Sequence, residues 1–177
     1  MHLSEKKISG EQVFSGRVID LSVDKVELED GKITTRELIT HPGGVCVVPI
    51  NEKGEVYMVK QFRYPFRQVL LEIPAGKLEK GEDHRLCGIR ELKEEIGAQA
   101  GLFEYLGCLY PTVAYDTEII HMYLARELTF GEQDLDEGEF IDVIKMPFEK
   151  AVEMVMNNEI PDAKTQLALL KAKTLLG

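Results

Sequence analysis

Along residues 13–38 apolar and polar positions alternate, broken once by Glu29-Asp30-Gly31-Lys32. Alternation at period two predicts strands with one buried face, and a polar, Gly-containing break between two such runs predicts a hairpin. A lone hairpin is marginal in water, so this one is expected to pack on its own domain or on a second subunit. Residues 1–12 are polar and predict no element. His41-Pro42-Gly43-Gly44 ends the segment. That break sets the expected division: a β appendage over 1–41 and a main domain over 42–177.

In the main domain, two apolar runs at 45–50 and 56–62 flank Asn51-Glu52-Lys53-Gly54 and read as a second hairpin. Val45-Cys46-Val47-Val48 is apolar on both faces, which predicts a central strand. A short strand is expected at 69–73. The period then changes. Leu86, Ile89, Leu92 and Ile96 recur at helical spacing, predicting a helix that starts near Glu82, docks through that stripe and stops at Gly97. Strands follow at 103–110, 119–125 and 140–145, with an acidic, turn-rich stretch at 131–138. Pro147 opens a helix running to Asn158, and Asp162 caps a last one ending near Leu176. Strands, helix, strands, helices in that order predict an α/β (α+β) architecture, a mixed sheet between helices in an α/β/α sandwich, plus the N-terminal antiparallel hairpin.

Composition narrows the partners. A chain of 177 residues, 44% hydrophobic and 29% charged, suits one globular domain with a small appendage. Its net charge of −10, with no basic patch, argues against nucleic acid or an anionic membrane. Any phosphorylated substrate would need bound cations and placed arginines to reverse the local field. Cys46, Cys87 and Cys108 are odd in number and not at metal-ligand spacing, so reduced, buried thiols in a cytoplasmic protein are expected. The chain opens with no leader pattern and holds no apolar run of membrane-spanning length.

The chemistry concentrates in residues 76–98. Gly76 and Gly81 bracket a polar loop, and Glu91, Glu94 and Glu95 recur at i, i+3 and i+4, roughly opposite the apolar stripe, with Arg90 one turn from Glu94. Most Glu/Lys clusters are solvated helix faces. Three carboxylates this close otherwise call for a hard divalent cation such as Mg²⁺ or Mn²⁺. Gly88 in mid-helix costs about 1 kcal/mol and marks close backbone packing. Arg63 is either a surface charge or a fork for phosphate or carboxylate. Glu72, alone in an apolar strand, is either edge-exposed or a ligand. A base taking a proton from water should be a carboxylate outside the helix. Within Asp134-Leu135-Asp136-Glu137-Gly138-Glu139, Glu139 is favoured because it adjoins a strand, with Glu94 and Glu118 next in line.

Gly76, Glu82 six positions on, and Arg90-Glu91-Leu92-x-Glu94-Glu95-x-Gly97 resemble the Nudix hydrolase signature at every fixed polar and glycine position; Ala98 is a soft departure. V-K-Q-F-R-Y-P at 59–65, L-L-E-I-P-A-G-K-L-E-K-G-E at 70–82, L-D-E-G-E-F-I-D-V at 135–143 and D-A-K-T at 162–165 extend the similarity to the ADP-ribose pyrophosphatase branch. The resemblance implies a Nudix-type fold and metal-dependent hydrolysis of ADP-ribose to AMP and ribose 5-phosphate. Another sugar nucleotide or a dinucleotide is the alternative substrate, and a non-catalytic ADP-ribose-binding regulator the alternative role. It further implies Glu91 and Glu95 as main metal ligands with Glu82, Glu94 and the Ala75 carbonyl assisting, and Arg90 as their orienter. Arg63, Glu72 and Glu118 would serve the substrate and Glu139 would be the base or a further metal contact. The branch also implies a homodimer in which the appendage crosses over, with Arg36 reaching a neighbouring site. Val113-Ala114 stands where the branch usually carries Pro-Gly, in a stretch associated with the choice of nucleotide.

Overall fold

The computed structural model describes residues 2–177, which separate into two compact units. One comprises the described residues up to Gly43 together with Tyr110–Ile119; the other comprises Gly44–Leu109 and Ile120–Gly177.

The first unit is a three-stranded antiparallel sheet, β1 (Lys6–Ser15), β2 (Asp20–Glu27) and β3 (Ile33–Thr40), in the order β1-β2-β3. The expected hairpin is present as β2–β3. A third strand lies in the stretch read as featureless. β1 is exposed at every position, and its register shifts twice against β2, so no buried face imposes a period on its sequence. The segment Tyr110–Ile119 docks on β3: the Ile39 N–H donates to the Tyr115 carbonyl at 2.7 Å, and the Thr117 N–H donates to the Ile39 carbonyl at 3.0 Å.

The second unit holds two sheets. β4 (Gly44–Pro49), β7 (Ala75–Lys77), β8 (Ala98–Leu109) and β9 (Ile120–Phe130) form a mixed sheet in the order β7-β4-β9-β8, with β4 and β9 parallel. β5 (Glu55–Arg63), β6 (Gln68–Glu72) and β10 (Ile141–Pro147) form an antiparallel sheet in the order β10-β5-β6. The hairpin expected at 45–62 closes its turn, the Asn51 carboxamide oxygen accepting from the Lys53 and Glu55 N–H groups at 3.0 Å. It makes one bridge, Ile50 to Val56, and then splits between the sheets. Both edges of β4 are already taken, by β7 and β9, so β5 finds its partners elsewhere.

Helices α1 (His84–Ile96), α2 (Phe148–Met156) and α3 (Ala163–Leu176) complete the unit. Alternate side chains of the central strands serve opposite layers. Val45, Val47, Tyr123 and Ala125 pack with Cys87, Leu92 and Ile96 of α1, whereas Cys46, Val48, Met122 and Leu124 pack with Ala151, Val155, Ala168, Leu169 and Ala172 of α2 and α3. This is the expected α/β/α layering. The α1 ends follow from local chemistry. Asp83 accepts from the Arg85 and Leu86 N–H groups at 2.9 and 3.1 Å. Gly97, at φ +66°, turns left-handed so that its N–H reaches the Leu92 and Lys93 carbonyls.

The docked face of α1 differs from the expected one. Leu86 and Ile89 are 62% and 40% exposed, and the buried residues are Cys87, Gly88, Glu91, Leu92, Glu95 and Ile96. The cause is Gly88. A Cβ there would lie 2.9 Å from Phe103 Cζ and 3.0 Å from Val45 Cγ2, so the helix rolls its glycine face onto the sheet. Glu91 and Glu95, placed by the sequence pattern opposite the docked stripe, therefore turn inward. The thiols also differ in part: Cys46 and Cys87 are buried, but Cys108 is exposed. Among the described residues no helix is long and apolar enough to cross a membrane.

Gly88 should therefore resist replacement. Alanine is the better helix former by about 1 kcal/mol, while overpacking costs about 1–3 kcal/mol. We expect Gly88→Ala to lower unfolding free energy by about 1 kcal/mol in urea titration; a stabilised variant would show that Phe103 and Val45 yield freely.

Candidate active site

Strand β6 ends at Glu72, and Ile73-Pro74 leads into β7, whose three residues face α1. Gly76 matters by what it lacks: a Cβ there would sit 1.8 Å from the Glu91 carboxyl carbon. The Glu91 side chain thus lies directly over the β7 backbone. Beside it Glu95, 3% exposed, accepts from the Ala75 N–H at 2.9 Å.

Arg90 gathers the remaining carboxylates. Its Nε and Nη2 fork onto Glu82 at 3.0 and 3.1 Å, and its Nη1 donates to Glu91 at 2.8 Å and Glu94 at 2.7 Å. Nη2 also reaches the Lys77 carbonyl at 3.3 Å. The Glu79 N–H adds a bond to Glu82 at 2.9 Å. Hydrogen bonds from Arg90 pull the Glu82 carboxyl down to about 2. Glu91 goes the other way. Burial, with repulsion from Glu94 and Glu139, outweighs Arg90 and pushes its carboxyl up to about 7. Burial, with repulsion from Glu91 and Glu139, pushes Glu95 up to about 8 against the help of the Ala75 N–H.

Glu139 is half-buried in the loop before β10, and its charge is felt by both inward carboxylates. The base of that loop is pinned to the end of α1. The Gly131 N–H donates to the Gly97 carbonyl at 2.7 Å, the Gln133 amide to the Glu95 carbonyl at 2.5 Å, and the Asp134 N–H to the Glu94 carbonyl at 3.1 Å.

A second charged chain runs through the same unit. Glu72 is 1% exposed although β6 is the outer strand of its sheet, so it is not an edge-exposed acid. Arg63 forks onto it through Nε and Nη2, both at 2.7 Å, and Lys164 donates to the same carboxylate. Burial opposes the charge on Glu72, but Arg63 and Lys164 outweigh it and hold the carboxyl below its ordinary range. Lys164 also donates to Asp162 at 3.0 Å. Thr165 donates to Asp162 and accepts from the Ile73 N–H at 3.1 Å.

The structure thus brings Ala75, Glu82, Arg90, Glu91, Glu94, Glu95 and Glu139 into one neighbourhood, with Arg63 and Glu72 joined through residues 72–76. Arg36 and Glu118 belong to the other unit. There Arg36 forks onto Glu5 at 3.0 and 2.6 Å, and Glu118 stands 3.5 Å from His41. Lys164, Asp162 and Thr165 were missed as site residues. Their only signal was a lysine two places after a helix cap, inside the D-A-K-T run. Among the described residues no three acidic, histidine or cysteine side chains converge as a ready-made metal cage, since Arg90 holds Glu82, Glu91 and Glu94.

With this geometry, comparison with known proteins is decisive. The family model described as the NUDIX domain matches residues 40–169. The chain belongs to the Nudix family. It is 45% identical over 169 residues to a Bacillus subtilis (strain 168) protein named ADP-ribose pyrophosphatase, covering 94% of this chain and 91% of that one. It is 43% identical to a Bacillus methanolicus protein named methanol dehydrogenase activator, covering 93% and 90%. A solved structure described as an ADP compounds hydrolase superposes with a TM-score of 0.87 at 20% identity, covering 98% and 94%, and confirms the Nudix fold.

Nudix hydrolases in general need a divalent metal ion, and the residues here fit one. Glu91 and Glu95 are buried side by side, and burial with carboxylate repulsion pushes both carboxyls above their ordinary range. A hard cation relieves both penalties and prefers carboxylate oxygen.

The same shifts set a pH dependence. Both carboxyls have folded-state values above their ordinary 4.5. Between about pH 4.5 and 8 these two groups therefore bind more protons in the metal-free folded protein than in the unfolded chain, and their contribution to stability falls as pH rises. In EDTA we expect Tm to drop between about pH 5 and 8, at roughly 2–4 °C per kcal/mol. Mg²⁺ should restore it at the upper end, and Glu95→Gln should flatten the decline. A level Tm in EDTA would mean that both carboxyls ionise normally.

Proposed function

We propose that the protein hydrolyses the diphosphate linkage of ADP-ribose, releasing AMP and ribose 5-phosphate, with Mg²⁺ as the working ion and Mn²⁺ as its alternative. The observation that carries this reading is the buried pair Glu91 and Glu95, set over Gly76 in a chain 45% identical to a protein named ADP-ribose pyrophosphatase. Another sugar nucleotide or a dinucleotide is the competing substrate, because Val113-Ala114 departs from the branch.

The geometry supports the following roles. Glu91 and Glu95 hold the ion, assisted by Glu82, Glu94 and Ala75. When bound, it neutralises phosphate oxygens and lowers the pKa of an attacking water. Arg90 keeps the carboxylates apart and oriented through its contacts to Glu82, Glu91 and Glu94. Arg63, 36% exposed at its side chain and anchored on Glu72, presents its free edge to the diphosphate. Glu139 takes the proton of the attacking water. Its loop is fixed at one end to α1 and at the other to β10, with Gly138 between Glu137 and Glu139 as the pivot.

Residues 1–41 act as a dimerisation appendage on this reading, Arg36 and Glu118 serving the nucleotide end of a site in the assembled dimer. Ile8, Val13 and Phe14 of β1 are exposed, and buried Asp24 keeps one oxygen, Oδ1, without a hydrogen-bond partner. A second copy would cover the former and supply a donor to the latter. Three unlinked thiols suit a reducing cytoplasm. The 43% identity to a protein named methanol dehydrogenase activator supports a second reading, a regulator of an alcohol dehydrogenase. The full carboxylate set favours hydrolysis.

A panel of nucleoside diphosphate derivatives with Mg²⁺, followed by phosphate-containing products, tests the substrate: ADP-ribose should give the highest kcat/KM. Glu91→Gln and Glu95→Gln should each lower turnover by several orders of magnitude. Glu139→Gln should lower kcat about 10²–10⁴-fold with little change in KM, while Glu137→Gln costs little. A crippled Glu137→Gln beside an active Glu139→Gln would move the base.

Sedimentation at micromolar concentration should give about twice the 20.0 kDa of one chain. A fully active monomer would remove the dimer from this account.

A further inference from the structure

Lys164 occupies a poor place for a lysine. It lies in the first turn of α3, where the helix dipole is positive, and its side chain is only 13% exposed. Burial disfavours its charge. It is kept charged by two carboxylates, Asp162 at 3.0 Å and Glu72, which touches the same ammonium. Glu72 in turn grips Arg63 through both oxygens. Charges thus alternate from the α3 cap to the site: Asp162 negative, Lys164 positive, Glu72 negative, Arg63 positive. Exposure rises sharply at the end, with Glu72 at 1% and Arg63 at 36%. The remaining Arg63 nitrogen, Nη1, has no hydrogen-bond partner among the described residues.

This chain has a consequence for the open arginine. With Lys164 present, Glu72 divides its acceptor capacity between two cations, and the four groups sum to zero. With Lys164 neutral, two carboxylates that had shared one ammonium face each other beneath Arg63, and the group carries a net negative charge. That charge repels a diphosphate and draws the guanidinium down onto Glu72. We propose that Lys164 is a positioning residue that acts through Glu72 to hold Arg63 free for the diphosphate of the substrate. The proposal rests on the reading of Arg63 as the diphosphate fork. It assigns Lys164 no contact with substrate.

The test is a double-mutant cycle of Lys164→Met and Arg63→Met, read by hydrolysis of ADP-ribose and by calorimetric binding of α,β-methylene-ADP in Mg²⁺, with the fold checked by circular dichroism. Lys164→Met should raise KM and the analogue's Kd about tenfold and change kcat less than about threefold, as expected for lost ground-state binding. In the Arg63→Met background the same change should add less than about twofold, because the group it positions is gone. If Lys164→Met does not fold, Lys164→Gln, which keeps a donor without the charge, replaces it in the cycle. Equal losses in both backgrounds, or a fall in kcat with KM unchanged, would overturn the proposal. The binding arm separates it from the functional reading. Analogue binding without ADP-ribose hydrolysis defeats the substrate assignment, and the cycle in binding still decides on Lys164.

Discussion

Helix α1 approaches the mixed sheet at a distance that only two glycines permit, and the site depends on that approach. A side chain at Gly88 would strike Phe103 and Val45, and one at Gly76 would occupy the Glu91 carboxylate. Because the face centred on Gly88 is the one that docks, Glu91 and Glu95 are carried inward with Leu92 and Ile96. Burial then raises both carboxyls. The neighbouring apolar contacts offset that cost. Leu92, Val45 and Val47 are almost fully buried in one cluster, and each such aliphatic side chain contributes about 1.5–3 kcal/mol. The helix is held by its apolar residues and strained by its buried acidic ones.

An acidic chain that handles a diphosphate must concentrate its few cations where they count. Two arginines do this in different ways. Arg90 is surrounded by Glu82, Glu91 and Glu94, so its charge is spent inside the protein, setting the spacing of carboxylates that would otherwise scatter. Arg63 spends half of its fork on Glu72 and keeps the rest open. A guanidinium suits both tasks because its planar donors bind two acceptors at once in fixed directions. The same surroundings shift the acids oppositely: Glu82 falls because it is forked by Arg90 at the surface, and Glu95 rises because it is buried with one N–H for company.

The sequence showed the layers, the central strand β4, the Gly97 stop of α1 and the Asp162 cap of α3, because each rests on local chemistry: apolar runs, a left-handed glycine, an aspartate acceptor. The spacing from Gly76 to Gly97 also marked the acidic cluster. Other features depend on non-local packing. The roll of α1 is set by Phe103 and Val45, which lie far away in sequence, so a period count chose Leu86 and Ile89 in place of Cys87 and Gly88. β1 has no buried face and therefore no pattern. The split of β4 from β5 depends on which strands arrive to fill the edges of β4. Lys164 gave almost no signal, since a buried lysine is defined by the carboxylates that meet it, and Glu72 is 92 residues away in sequence.

Residues 72–76 show how these separate constraints meet. Each has its own fixed partner, and the partners come from every layer of the unit. Glu72 is gripped by Arg63 of β5 and Lys164 of α3. The Ile73 N–H donates to Thr165 of α3, and the Pro74 carbonyl accepts from the Val47 N–H of β4 at 2.9 Å. The Ala75 N–H donates to Glu95 of α1, and Gly76 lies under Glu91. Proline is well placed at 74, where the backbone is asked only for an acceptor. A five-residue run tied on one side to α3, on the other to α1 and along its middle to β4 has no soft direction left. That anchoring lets a largely buried segment hold two buried carboxylates and a forked arginine in register. It also ties the α3 cap, remote in sequence from the acidic helix, to the same segment.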